Sequence, residues 1–256
     1  MSKRKYPMTF SELSFRGLGY VLLFVFGILC VIPFYLIAIS SFADESSLIR
    51  NGFQLIPEHF SLDAYKMVFT NPERIGRAYF NTILTTTVGT CLSLLLSTLT
   101  GYVLSRRDFK WRNGFSFFFF FTTLFSGGLI PWYTLCTQVL HLKNTYMGLI
   151  LPMVFSVWNM IIAKNYMAGI PYEISESAKI DGAGEIRIYA QLYLPVAKPL
   201  LATLGLFSAL GYWNDWYNCM LFMSTGGTWN LQYTLQNILN SSEALKRIAS
   251  MTGMQV

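Results

Sequence analysis

Five stretches of this chain are apolar over about the thickness of a lipid bilayer, and this limits the fold to very few forms. They cover residues 18–39, 83–104, 115–135, 147–162 and 200–223. A helix that crosses the hydrocarbon needs about 20 mostly apolar residues. Backbone groups in lipid must also be bonded within the protein, and these runs are too long for the alternating strands of a barrel. The sequence therefore predicts an all-α, polytopic membrane bundle with five transmembrane helices.

The overall composition agrees with a membrane protein and argues against a nucleic-acid partner. Hydrophobic residues make up 53% of the chain and charged residues 12%, whereas soluble domains carry about 25% charge. The net charge of +6 is explained by cytoplasmic loops, which collect Lys and Arg in membrane proteins. No basic stretch outside the spans is interleaved with the aromatic residues on which bases stack.

The distribution of Lys and Arg predicts a cytoplasmic amino terminus and a multi-pass protein of the cell membrane. Bases then cluster in the short inner segments, which is the usual bias: Lys3, Arg4, Lys5, Arg16, Arg106, Arg107, Lys110, Arg112, Lys164, Lys179, Arg187 and Lys198. The first apolar run exceeds the 7–15 residues of a signal-peptide core, so it is interpreted as an uncleaved span. The predicted organisation is a cytoplasmic segment 1–17, a transmembrane domain 18–223, and a polar external segment 224–256.

The sequence lacks the side-chain groups that catalysis, metal binding or an autonomous carrier would need. No G-x-x-x-x-G-K-[ST] motif is present, so nucleotide phosphates cannot be bound by that loop. His59 and His141 lie in separate loops, and the four cysteines form no C-x-x-C pair. Asp215 is the one ionisable residue well inside a predicted span, whereas proton-coupled carriers usually use several. No enzyme activity, cofactor or metal is expected.

The polar loop 167–198 stands out between the fourth and fifth apolar runs. Pro171 suits the first turn of a helix, and Glu173 and Glu176 favour its positive end. Gly182 and Gly184 should end that helix, and a second short helix over 185–194 should stop before Pro195. We expect Ile174, Ala178 and Ile180 to form a narrow apolar edge. A hairpin lying on lipid is the alternative, although its two acids would face an anionic leaflet poorly.

The spacing within this loop resembles a known coupling motif. Glu176-Ser177-Ala178, Gly182 and Leu194-Pro195 are similar to the EAA loop of permeases in binding-protein-dependent ABC importers, whose pattern is E-A-A-x3-G-x9-I-x-L-P. Ser177 and Leu192 depart mildly from it. The longer stretch 171–183 resembles the carbohydrate-uptake, maltose-type branch. The segments 126–131 and 212–216 resemble its Gram-positive complex-polysaccharide permeases.

The resemblance implies a transport function and a set of partners. It implies that the chain forms half of the translocation path for a sugar. It also implies a second permease subunit, a cytoplasmic ATPase dimer and an extracellular solute-binding protein as partners. The ATPase-coupling residues would be Glu173, Glu176, Ser177, Ala178, Asp181, Gly182, Ala183, Leu194 and Pro195. Permeases of that branch have six spans, so a chain with five is expected to be a fragment. The alternatives are an ABC permease for another polar solute, a secondary transporter or channel, and a structural scaffold.

Aromatic and planar polar side chains mark a candidate substrate path. Sugar sites combine such groups, and both kinds occur in the fourth and fifth spans: Trp158, Asn159, Trp213, Asn214, Asp215 and Trp216. The alternative for the tryptophans is anchoring at the membrane interface. An unpaired carboxylate in the hydrocarbon costs about 2.5 kcal/mol or more, so Asp215 is expected to face water, the pore or a partner rather than lipid.

Overall fold

The computed structural model describes residues 10–70, 72–224 and 228–252, and its regular structure there is helical, with one isolated bridge between Ala43 and Phe60. The prediction of an all-α membrane protein is confirmed. Ser14–Ser40 and Pro72–Ser105 are long and apolar enough to span a bilayer alone, and three bent helix pairs raise the number of candidate spans to five. The helices are α1 Phe10–Ser40, α2 Glu45–Asn51, α3 Asp63–Thr70, α4 Pro72–Ser105, α5 Arg112–Leu124, α6 Leu129–Thr134, α7 Tyr146–Ile150, α8 Val157–Ala168, α9 Tyr172–Ile180, α10 Glu185–Ile188, α11 Leu194–Val196, α12 Lys198–Trp213, α13 Tyr217–Phe222 and α14 Leu231–Thr252.

The chain divides into two compact units, residues 1–72 and 73–256. The first unit contains α1, whose apolar side chains are exposed almost all round, as a lipid-facing helix requires. The segment after α1 folds back on its end: Tyr35 donates a hydrogen bond to the Leu55 carbonyl at 2.9 Å. Ser41 and Tyr65 share a hydroxyl–hydroxyl bond at 2.9 Å.

The second unit is built on α4, α8 and α12. The buried face of α4 is a stripe of small and hydroxyl-bearing residues, which lets helices approach closely in lipid. A Cβ added at Gly101 would collide with the Ala163 side chain and the backbone of α8, and one at Gly89 would overlap the ring of Tyr212 on α12. These close approaches hold the three helices together, and a buried apolar cluster that includes Tyr102, Ala163 and Leu204 adds a core between them at one end.

The third and fourth predicted spans are each broken. The helical segments Arg112–Leu124 and Leu129–Val139 meet at 113°. Gly128 between them has φ +85°, a conformation that glycine adopts readily. The segments Tyr146–Met153 and Val157–Ala168 meet at 49°, next to Pro152, which has no N–H for a helical bond. The chain therefore does not form straight helices over 115–135 and 147–162; each of these predicted spans is a pair of shorter helices.

The fifth predicted span, 200–223, is also interrupted. α12 ends at Trp213, and α13 begins at Tyr217 after the turn Asn214–Trp216. Farther on, α14 is a 22-residue helix that the sequence analysis did not predict. It is not among the helices apolar enough to span a membrane. Residues 1–9, 225–227 and 253–256, which belong to the predicted terminal segments, lie outside the described residues.

Candidate functional site

The loop predicted to couple to an ATPase, residues 167–198, is a helical hairpin with a sharp turn at Gly182. α9 follows Pro171 and ends at Ile180, with Asp181 as the residue that caps its end. The Gly182 N–H donates to the Lys179 carbonyl at 3.0 Å, and the Ala183 N–H donates to the Ala178 carbonyl at 2.9 Å. This pair of bonds is the Schellman motif, which needs a residue at positive φ. Gly182 has φ +77°, a backbone conformation that glycine adopts without strain.

The two faces of α9 have different surroundings. Ser175 is fully buried, and its hydroxyl bonds that of Tyr193 at 2.8 Å. Ala178 packs beside it against the core, whereas Glu176 and Ser177 are exposed. The three residues of the EAA-like motif therefore divide between a face that is anchored and a face that is free to contact another protein.

Ile180 is not part of the apolar edge that the sequence predicted. It is 86% exposed, and Ile186 in α10 is 83% exposed. Ile174 is itself 37% exposed, and it lies six positions before Ile180, about 120° away around a helix of 3.6 residues per turn. The hairpin thus presents two bare isoleucines near its turn, together with the exposed acids Glu173, Glu176 and Asp181.

The second arm of the hairpin is longer than predicted and does not stop before Pro195. α10 continues as a π-helical turn, Tyr189–Tyr193, into α11. A π turn accommodates a proline that cannot donate its helical bond. Tyr189 bonds Thr98 of α4 at 2.8 Å, and the Tyr193 ring contacts the Tyr102 ring edge-on, with centroids 4.8 Å apart. These contacts anchor the arm to α4; Leu194 is half-buried and Pro195 exposed.

A cluster of four charged residues joins the hairpin to the end of α4, and the sequence analysis missed it. Arg106 and Asp108 follow α4, Lys179 lies in the last turn of α9, and Glu185 begins α10. Asp108 Oδ2 lies 3.1 Å from Arg106 Nη2 and 2.6 Å from Lys179 Nζ. Glu185 Oε1 lies 3.5 Å and 2.8 Å from the same two groups. The available signal was the single acid, Asp108, within the basic run 106–112.

The charge states of this cluster are fixed by its own contacts. Burial alone would raise the pKa of the Asp108 carboxyl, but hydrogen bonds from Lys179 and Arg106 hold that pKa below its usual range. Hydrogen bonds to Asp108 and Glu185 raise the pKa of Lys179. Stability from a lowered acid pKa is lost as pH falls through it, and stability from a raised lysine pKa as pH rises through it. The Asp108–Lys179 pair therefore stabilises the hairpin fully between about pH 4 and about pH 10.

The six residues of the candidate substrate path differ in their burial and in their partners. Trp158 is 69% exposed at the start of α8. Its neighbour Asn159 is buried, and its Nδ2 donates to the Ser208 hydroxyl at 3.3 Å. Ser208 in turn lies 3.2 Å from the hydroxyl of Ser93. Asn159 therefore ties α8 to α12 and α4, which is a packing role inside the bundle.

Asp215 lies in the turn between α12 and α13 and not within a continuous helix. Its Oδ1 accepts hydrogen bonds from the Asn218 N–H at 3.0 Å and the Asn218 side chain at 3.1 Å, which is how an aspartate caps a helix start. Asp215 is 9% exposed. Asn214 bonds the Leu210 carbonyl, Trp213 is half-buried, and Trp216 is exposed. Trp213, Asn214 and Trp216 remain candidates for contact with a solute.

Within the described residues, no group of three or more His, Cys, Asp or Glu side chains is placed so that it could hold a metal ion.

Comparison with known proteins matches this hairpin-bearing bundle to membrane transport proteins. The model of the family described as binding-protein-dependent transport system inner membrane component matches residues 94–244. The polygalacturonan/rhamnogalacturonan transport system permease protein YtcP of Bacillus subtilis (strain 168) is 38% identical over 239 residues, which are 93% of this chain and 83% of YtcP. Protein LplC of the same strain is 41% identical over 212 residues, covering 83% of this chain and 71% of LplC.

One solved structure is similar along most of the chain. It is the crystal structure of a bacterial ABC transporter involved in the import of the acidic polysaccharide alginate. The TM-score is 0.82 with 28% sequence identity, and the match covers 91% of this chain and 82% of the other. The arrangement of the helices is thus shared with a subunit of an ABC importer.

Proposed function

The chain belongs to the family of binding-protein-dependent transport system inner membrane components, and on that premise we propose that it forms half of the translocation path for an oligosaccharide. Such permease subunits are embedded in the membrane and are not enzymes, because ATP hydrolysis takes place on a separate subunit. They work with a second permease, an ATPase and a solute-binding protein. The individual partners of this chain are part of the proposal.

The observation that carries the proposal is the exposed face of the hairpin 167–198. Ile180 and Ile186 are almost fully exposed, although the opposite side of the hairpin is anchored to α4 through Tyr189 and Tyr193. Large apolar side chains at the tip of an ordered polar loop mark a protein-binding surface. We assign this face to the ATPase, with Glu173, Glu176 and Asp181 as its polar rim.

The proposed cycle uses this surface as the input of motion. ATP favours one state of the pore only through contacts that differ between states, and the hairpin would supply those contacts. Closure of the ATPase dimer would move the hairpin and open the pore toward the binding protein, and hydrolysis would reset it. This assigns the hairpin and the amino terminus to the cytoplasmic side, in agreement with the excess of Lys and Arg there.

The relatives favour an acidic oligosaccharide as the solute. YtcP is described as a polygalacturonan/rhamnogalacturonan permease, and the similar solved structure as an importer of an acidic polysaccharide. Trp213, Asn214 and Trp216 have exposed surface that a sugar could contact, although the Asn214 amide also bonds Leu210 and Gln232. Asp215 is unsuited to bind a sugar, because it is 9% exposed and its Oδ1 already caps α13.

Reconstitution tests both parts of the proposal. The chain would be placed in proteoliposomes with its partner permease and ATPase, with the binding protein outside and ATP inside. We expect uptake of labelled oligogalacturonate that requires ATP and the binding protein. If only a neutral oligosaccharide is taken up, the solute is a neutral rather than an acidic sugar. If only another polar solute is taken up, the assignment to a sugar is wrong. Uptake driven by an ion gradient without ATP would contradict the importer assignment.

A further inference from the structure

We propose that the charged residues between the hairpin and α4 form a clasp that transmits movement of the hairpin to α4, separately from ATPase docking. The charge clasp consists of Arg106, Asp108, Lys179 and Glu185, with Tyr102 as a fifth member. Resting on the proposed function, this inference names the residues that would connect the ATPase-binding surface to a pore helix.

The clasp is a closed set of contacts rather than a pair. Each base lies within 4 Å of both acids, at 2.6–3.5 Å. The Tyr102 hydroxyl donates to the second oxygen of Glu185 at 2.6 Å. Three of these contacts, Arg106–Glu185, Lys179–Asp108 and Tyr102–Glu185, run from α4 or its following loop to the hairpin. A displacement of α9 or α10 therefore strains several bonds to α4 at once.

One half of the clasp is fixed in place. The Arg106 side chain is 4% exposed, and its guanidinium carbon lies 5.7 Å from the Tyr102 ring centroid and 5.1 Å from that of Tyr172. Arginine stacked on aromatic rings and bonded to carboxylates is held in both position and orientation. Tyr172 is the first residue of α9, so Arg106 contacts the start of α9 as well as α10.

The clasp also braces the angle of the hairpin. Lys179 lies in the last turn of α9 and Glu185 at the start of α10, on either side of the Gly182 turn. Their contact at 2.8 Å closes the turn, and Asp108 holds the same Lys179 from the α4 side. The hairpin and the end of α4 are thus joined where the hairpin would bend.

The clasp and the docking face are different surfaces, so the two roles can be separated. Ile180 and Ile186 take no part in the clasp. The hairpin is also anchored independently, through Ser175–Tyr193 and Thr98–Tyr189. Neutralising the clasp should therefore leave a folded hairpin that still binds the ATPase but no longer moves α4 efficiently.

A double-mutant cycle in the reconstituted importer tests this. The variants are Lys179→Met, Asp108→Asn, their combination, and Lys179→Arg as the conservative rescue. Lys110→Met is the matched control, because Lys110 lies in the same loop, is exposed, and has no ionic contact within the described residues. Three quantities are measured for each variant: ATPase co-purified with the chain, ATP hydrolysis, and ATP-dependent uptake.

We expect Lys179→Met and Asp108→Asn each to lower uptake roughly 5- to 10-fold, because either change removes the Lys179–Asp108 contact, while co-purified ATPase changes less than about twofold. The combination should lose less than the product of the two single losses, because both variants remove the Lys179–Asp108 contact. ATP hydrolysis should continue in these variants, but less solute should be taken up for each ATP hydrolysed. Lys179→Arg and Lys110→Met should stay within about twofold of the unmutated chain.

Three results would overturn the clasp. One is normal uptake in Lys179→Met. Another is a double variant whose loss is the product of the two single losses, because the residues would then act independently. The third is a loss of co-purified ATPase in proportion to uptake, which would make the cluster a docking site. An unmutated chain that neither retains an ATPase nor takes up solute would instead overturn the proposed function itself.

Discussion

Replacing Gly182 separates backbone geometry from protein docking. Gly182 has φ +77°, and an added Cβ would meet nothing within 4 Å. The cost of Gly182→Ala is therefore strain alone, about 1–2 kcal/mol for an L-residue in the left-handed region. That shifts the equilibrium between the ordered and opened turn by roughly 5- to 30-fold. Gly182→Trp carries the same strain in the isolated chain.

The chain offers a matched control two residues away. Gly184 also has open space around it, but its φ is −73°, which any residue adopts. Gly184→Ala should change stability by less than about 0.5 kcal/mol. Gly182→Asn should fall between the two, because asparagine tolerates the left-handed region better than alanine does.

Hydrogen–deuterium exchange and ATPase co-purification together measure these effects. Exchange of the backbone amides of α9 should accelerate roughly 5- to 30-fold in Gly182→Ala and remain unchanged in Gly184→Ala. Both alanine variants should retain the ATPase, whereas the indole of Gly182→Trp should prevent docking and abolish uptake. Equal exchange in the two alanine variants would refute the strain argument. Normal ATPase binding and uptake by Gly182→Trp would refute the docking face.

Three further predictions concern packing, capping and orientation. Gly89→Ala should destabilise the bundle by about 2–4 kcal/mol, as measured by thermal unfolding in detergent. The added Cβ would overlap the Tyr212 ring and break the hydrogen bond from the Tyr212 hydroxyl to the Ile150 carbonyl. Asp215→Leu should lower stability by about 1–2 kcal/mol through the lost cap of α13 and should impair assembly or uptake. In a background without native cysteines, an impermeant maleimide should label Ser46→Cys in intact cells, and Ser177→Cys only after the inner face is opened.

Each of these predictions has a control or a contradicting result. Gly205→Ala should be nearly neutral, because its Cβ would sit at ordinary contact distance, 3.5 Å, from Leu94; equal losses in both glycine variants would contradict the packing argument. Asp215→Asn should keep the cap, so a loss as large as that of Asp215→Leu would show that charge, not capping, matters. The reverse labelling pattern of the two cysteines would invert the proposed orientation.

The features readable from the sequence are those with a local physical cause. Bilayer-length apolar runs predicted the membrane helices, and Pro171 and Gly182 marked the start and the turn of the hairpin correctly. Pro171 and Gly182 act through their own backbone angles or through hydrogen bonds to near neighbours in the chain. The π turn before Pro195 and the breaks near Gly128 and Pro152 carry local signals too, but a proline or glycine does not by itself say whether a helix bends or stops.

The features that could not be read from the sequence depend on contacts between distant residues. Arg106 is one of many bases in the inner loops until Glu185, 79 positions later, is brought to 3.5 Å from it. Asn159 resembles a solute ligand until Ser208 is found to be its partner. Asp215 was judged as a charge within a helix, because no proline or glycine directly follows the end of α12 at Trp213.

The central claim is that the exposed tip of the hairpin 167–198 contacts an ATPase, and site-specific photo-crosslinking in the assembled importer tests it most directly. A photoreactive residue would replace Ile180 or, as a control, Ile130. Ile130 is similarly exposed, but it lies in α6, after the carboxyl end of α5 and away from the loop that contacts the hairpin. We predict a crosslink to the ATPase from position 180 and none from position 130. An assembled importer in which position 180 gives no crosslink to the ATPase, or position 130 gives one, would contradict the account.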